Sequence, residues 1–132
     1  MKVLLDSCAF VDLSTGADSL SQSAISAFQN IDNECYLSVA SVWELGLKQS
    51  LGKLNFNIEN AVKAAVVQGI KLLEIDLPIT LAVNTLPYYH KDPFDRIIIA
   101  SAKFNNMTIM TSDSIFKKYD LDIIRLRKDE LN

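Results

Sequence analysis

A chain of 132 residues has room for one hydrophobic core, and with 49% hydrophobic and 22% charged residues it is too apolar for a disordered segment. Its net charge of −3 excludes a simple electrostatic glove for nucleic acid, but not a nuclease whose acids hold metal. No apolar run is long enough to span a bilayer, and Lys2 followed only by Val3-Leu4-Leu5 offers no signal-peptide core, so one cytoplasmic domain over residues 1–132 is expected.

In chain order, residues 2–6 read as a short buried strand ending in an acid, Asp6. "SCAFVDL" follows as a helical turn closed by Ser14-Thr15-Gly16, and residues 18–30 read as a helix with Leu20, Ala24, Ile25, Ala27 and Phe28 on one side. A second strand at 35–38 runs into a helix over 39–51 that stops at Gly52. Residues 58–69 form an alanine- and valine-rich helix, 71–75 a third strand, and Pro78 opens a short helix through Leu86. A helix over 93–105, a strand at 108–111, a short helix through Tyr119 and a last strand at 123–126 complete the pattern. Continuous apolar strands alternating with helices predict an α/β fold, a three-layer α/β/α sandwich around a central parallel sheet.

Open parallel sheets bind ligands beyond the carboxyl ends of their strands, which is where the acids of this chain gather. Asp6 ends the first strand, Asp113 lies two residues beyond the fourth, Asp92 and Asp95 begin the helix before it, and Glu44 sits one to two turns into the helix after the second. Each also has a plain structural reading. Asp92 before Pro93 is a good helix cap with Asp95 at the third helical position, Asp113 is a cap for "SIFKKY", and Glu44 is four residues before Lys48. Asp6 and Glu44 are harder to dismiss, because both are embedded in apolar sequence and a lone buried carboxylate is costly. Close carboxylates repel by about 3–4 kcal/mol per pair at an effective dielectric near 20, so either some are protonated or a cation sits among them. Oxygen ligands of this kind suit Mg²⁺ or Mn²⁺. Cys8 and Cys35 read as buried free thiols, and a zinc site joining them to His90, the single histidine, lacks a fourth ligand.

Taken together, "LLDSCAFVD", "SVASVWELGLK", "HKDPFDRIIIASA" and "TSD" resemble the PIN domain, specifically the VapC-like ribonuclease toxins of toxin–antitoxin pairs, from about Val3 to Ile124. The resemblance implies a metal-dependent endoribonuclease in which Asp6, Glu44, Asp95 and Asp113 are the catalytic, metal-holding acids. Ser7, Thr111 and Ser112 match the supporting hydroxyl positions, while "SC" after Asp6 departs from the commoner Thr-His. A Mg²⁺ or Mn²⁺ cofactor, an RNA substrate, a cognate antitoxin and a homodimer are implied with it. The helix "AVKAAVVQG" serves either that dimer or the core.

Lys48 and Arg96 are the candidate substrate cations, against an ion pair to Glu44 and a surface salt bridge as their plainer roles. Asp92 is read as the cap and as peripheral to the site, and Ser112 as either a phosphate contact or a cap. Trp43 is expected in packing and Tyr88 and Tyr89 as aromatic surfaces for bases. The basic tail of Lys117, Lys118, Arg125, Arg127 and Lys128 reads first as solvated surface and second as an RNA or partner contact. Two other readings are carried: a non-catalytic PIN-like binding module, and a phosphoacceptor receiver domain. The latter needs paired acids at the first strand and a lysine ending the last, and neither is present.

Overall fold

The structure is a computed structural model in which residues 1–128 are described. Strands Lys2–Leu5 (β1), Glu34–Ser38 (β2), Lys71–Leu73 (β3), Thr108–Thr111 (β4) and Ile123–Arg125 (β5) pair in parallel in the order β3-β2-β1-β4-β5. The helices are Ser7–Thr15 (α1), Gln22–Gln29 (α2), Val39–Ser50 (α3), Ile58–Val67 (α4), Leu77–Ala82 (α5) and Pro93–Asn105 (α6), with 3-10 segments at Val83–Thr85 and Ser114–Tyr119. No helix among the described residues is long and apolar enough to cross a membrane.

Alternation along β1 builds the three layers. Val3 and Leu5 enter one core with Phe10, Ala24, Leu45 and Ala65, from α1, α2, α3 and α4. Leu4 points the other way, into a second core with Ile79 of α5, Ile98, Ile99 and Ala102 of α6, and Phe116. All three β1 side chains are fully buried, as the central strand of a sheet covered on both faces requires. The expected sandwich is therefore the observed one.

The topology also creates a site. From β1 the chain steps outward to β2 and β3, then returns across the sheet to place β4 on the other flank of β1. Consecutive connections leave β1 and β4 toward opposite faces, which opens a crevice at their carboxyl ends. A receiver domain sets its first strand between the second and the third, so this order departs from that reading.

Three boundaries differ from expectation for tertiary reasons. The helix expected from 18 starts at Gln22, because Leu20 forms an antiparallel bridge with Arg127 and Ser21 caps α2 by accepting from the Ala24 N–H. The third strand stops at Leu73, where its pairing to β2 ends at Ser38. The helix expected to reach Leu86 gives way to a 3-10 turn after Ala82. Gly16, in the left-handed region at φ 64°, closes α1 as the sequence suggests.

Candidate active site

Asp6 leaves β1 and immediately caps α1: its Oδ1 accepts from the Ala9 N–H at 2.7 Å. The next residue, Ser7, donates from Oγ to Glu44 Oε1 at 2.6 Å, tying α1 to α3 in a buried contact. Glu44 Oε2 then meets Lys48 Nζ at 3.2 Å, one helical turn on, so the ion pair expected of Lys48 is present. Thr111, at the end of β4, hydrogen-bonds the Asp6 carboxylate and accepts from the Asp113 N–H at 3.0 Å. The two strands flanking the crevice are thus joined through one hydroxyl.

The opposite wall is the start of α6. Asp92 Oδ1 accepts from the N–H groups of Phe94 and Asp95, at 2.8 and 3.3 Å, and is the N-cap expected of it. Asp95, one turn in, aims its carboxylate at His90, with Nε2 to Oδ2 at 2.8 Å. His90 Nε2 also lies 3.5 Å from Asp113 Oδ2. Asp113 Oδ1 meanwhile accepts from the Ile115 N–H, so Asp113, not Ser112, caps the following 3-10 segment. Among the described residues, His90, Asp95 and Asp113 form a group whose potential ligand atoms all lie within 4.8 Å of one another. The sequence pointed to the two acids as ligands and to His90 only as a ligand of a zinc site with the cysteines; its signal here was standing five residues before Asp95.

A cavity of about 400 Å³ is lined by Asp6, Ser7, Glu44, Lys48, Asp95 and Asp113, with Asp92 and Ser112 at its edge. The structure therefore brings all four sequence-selected acids to one cleft, at the crevice that the strand order opens. Burial raises the Asp6 carboxyl to about 6; Asp113 and Glu44 push it further up, while the Thr111 and Ala9 hydrogen bonds oppose the shift. Asp95 is also raised to about 6, by burial and then by the Asp92 charge, against the pull of the His90 hydrogen bond. Two carboxyls that resist ionisation beside two more, in a set dominated by oxygen donors, fit a hard divalent cation.

Several expectations need correction. Arg96 is not in a surface salt bridge: it is buried, and no carboxylate among the described residues pairs with it. Its Nη1 donates to the carbonyls of Pro87 and His90, its Nη2 to those of Val83 and Leu86, at 2.9 to 3.2 Å, and Tyr88 stacks on it 3.9 Å from the ring centroid. It thereby shapes the 83–90 segment that carries His90. Trp43, expected in the core, is 66% exposed and rests edge-on against Phe94, with ring centroids 4.8 Å apart. Cys8 is exposed, and only Cys35 of the two free thiols is buried. The tail is not uniformly solvated either: Arg127 Nε donates to Asp12 Oδ2 at 3.0 Å, closing the cleft wall at α1. Asp12, unremarked in the sequence, lines the cleft through that pair.

Residues 3–121 match the sequence model of the PIN domain family. No curated protein matches the sequence. Among solved structures, the chain is similar to VapBC2 from Rickettsia felis bound to a DNA fragment from their promoter, at 17% identity and a TM-score of 0.67, covering 93% of this chain and 97% of that one. It is also similar to the VapC20 toxin of Mycobacterium tuberculosis, which cleaves the sarcin–ricin loop, at 12% identity and a TM-score of 0.65, covering 96% and 99%. A toxin–antitoxin complex from Klebsiella pneumoniae gives 18% identity and a TM-score of 0.59 over 85% and 87%. At these identities the likeness is one of fold.

Proposed function

The chain belongs to the PIN domain family, and from that premise we propose that it is a cytoplasmic, metal-dependent endoribonuclease, the toxin of a toxin–antitoxin pair. The observation that carries the reading is the meeting of Asp6, Glu44, Asp95 and Asp113 in one cleft at the sheet's switch point. Its resemblance in fold to toxin–antitoxin proteins supports the biological role.

In this mechanism the four acids would hold Mg²⁺ or Mn²⁺. Such an ion, when bound, would supply a water of lowered pKa and offset charge on the phosphate under attack. The chain's own residues set the geometry. The α1 cap fixes Asp6 at the strand end, Ser7 fixes one oxygen of Glu44, and His90 fixes one oxygen of Asp95. Outer hydrogen bonds of this sort orient ligands and tune their basicity. Thr111 links Asp6 to Asp113, and Ser112 stands at the cavity edge within reach of a phosphate oxygen. Lys48, half exposed and paired with Glu44 Oε2, is the cation of the cleft that would meet a substrate phosphate.

An antitoxin partner and a homodimer belong to the same proposal. Trp43 and Leu47 of α3 and Leu51 at its C-cap, spaced four apart, are all exposed and offer an apolar stripe for self-association. The deciding experiment is cleavage of single-stranded RNA by the purified chain with Mn²⁺, set against Asp6→Asn and Asp95→Asn. Loss of cutting in both folded variants is expected, and cutting at the wild-type rate in either overturns the assignment of that acid. No cutting by wild type under any divalent ion leaves the non-catalytic binding module as the better description.

A further inference from the structure

Beside the acidic cleft lies a second cavity, of about 510 Å³, and its chemistry is the opposite. Lys117, Arg125, Arg127 and Lys128 line it, together with the hydroxyl residues Thr111, Ser112 and Ser114. The two cavities share a wall: Ser112, Asp113 and Arg127 line both. Thr111 is the register partner of Arg125 across β4 and β5, so the cationic cavity continues the same carboxyl rim of the sheet toward its β5 edge.

We propose that this cavity is the subsite that grips the phosphates of single-stranded RNA flanking the scissile bond, a proposal that rests on the nuclease reading above. The chain carries a net charge of −3 and concentrates acids where the bond is cut, so attraction for a polyanion has to come from a separate, local concentration of cations. This cavity has one. The exposed ammonium groups of Lys117 and Lys128 can meet phosphate oxygens as point charges, and the exposed hydroxyls of Ser112 and Ser114 add donors beside them. Arg127 is anchored by its pair with Asp12 and stands at the boundary, so a strand crossing from cavity to cleft passes a fixed cation. The backbone is pinned there as well: Lys128 N–H donates to Ser19 O at 2.8 Å, and the Ser21 N–H to Leu126 O at 2.9 Å. A tail so tied to the α1–α2 connection is a preformed wall, which lowers the ordering cost of binding.

The test uses the full chain and a short single-stranded RNA, 2′-O-methylated to prevent cutting, with binding followed by fluorescence anisotropy across a salt series. Lys117→Gln/Lys128→Gln is compared with wild type, because both lysines are exposed and lie outside the acidic cleft. About a tenfold rise in Kd at low salt is expected, with the slope of log affinity against log salt falling by about 1.4, the contribution of two phosphates on a single strand. Mn²⁺ binding by calorimetry and the melting midpoint are expected to stay at wild-type values, and Lys117→Arg/Lys128→Arg to restore affinity. Unchanged Kd and slope overturn the subsite alone. So does an equal loss of affinity for a short oligoglutamate, which makes the cavity a site for acidic peptide. If wild type neither cuts RNA with Mn²⁺ nor binds it, the nuclease reading and the subsite fall together.

Discussion

Asp95 and Arg96 are neighbours in sequence and both carry charge into the protein, yet their surroundings resolve that charge in opposite ways. Arg96 is met by four backbone carbonyls and the face of Tyr88, a full complement of acceptors drawn from one short segment. Asp95 is met by one imidazole and stands near further carboxylates; burial, and then the Asp92 charge, raises its carboxyl to about 6 against the pull of that imidazole. The fold can satisfy a buried ion with its own groups when the ion is structural. In the cleft it does not, and the shortfall has the sign that a bound cation would offset.

That contrast can be broken first at Asp95. Replacing an outer hydrogen-bond partner of a metal typically costs 10–100-fold, so Asp95→Asn, which removes a proposed ligand, is expected to lower RNA cleavage by more than about 100-fold. Initial rates with Mn²⁺ in excess measure it, and a smaller loss makes Asp95 an outer contributor.

Arg96→Leu tests the other partner. It strands four buried carbonyls and is expected to cost about 3–5 kcal/mol in urea unfolding, with the 83–90 segment loosened. A variant as stable as wild type shows that the carbonyls find other partners.

Asp6 sharpens the electrostatic half. Its folded value near 6 lies above the ordinary 3.8, so the native state holds this proton more tightly than the unfolded chain does. The resulting stability is fully present below about pH 4 and is lost as pH rises through 6, a loss on the order of 3 kcal/mol, with Asp95 acting in the same direction. Metal-free protein should therefore unfold more easily at pH 7.5 than at pH 5. Mn²⁺ should restore stability at the higher pH, and Asp6→Asn should flatten the dependence while abolishing cutting. A pH-independent unfolding midpoint without metal contradicts the shift.

Ser7→Ala removes the 2.6 Å bond to Glu44 and is expected to cost about 1.5 kcal/mol, as for a bond to a charged group. The smallest effect is expected at Trp43. Its edge contact with Phe94 is worth about 0.5–1.5 kcal/mol, whereas a core tryptophan cut to alanine loses about 3–5. Thermal melting of Trp43→Ala distinguishes the two.

Much of the fold was legible because local and global signals agree. "DPFD" specifies the start of α6 by cap, proline and dipole at once, and the apolar "KVLL" can only be a covered strand. The acids were legible through their placement after strands, since topology carries strand ends to one rim. Partners without sequence signatures were not. The carbonyls that receive Arg96 belong to Val83, Leu86, Pro87 and His90, and nothing in those residue types announces an acceptor. Trp43 was misplaced for a related reason: α3 alternates Leu45 inward with Trp43 outward, and a short helix with apolar residues on both sides gives no unique inner face. The late start of the helix expected over 18–30 depended on Arg127, more than a hundred residues away.

The cap at Asp92 has a further consequence. By accepting two N–H groups on one oxygen it fixes the angular phase at which α6 begins, and each residue added or removed there rotates everything downstream by about 100°. Asp95 and Arg96, the acid facing the cleft and the cation facing the carbonyls, would leave their stations together. A length change between Asp92 and Asp95 is thus a lesion in chemistry and in architecture at once. The four-residue turn therefore acts as a single geometric unit, in which spacing matters as much as residue identity.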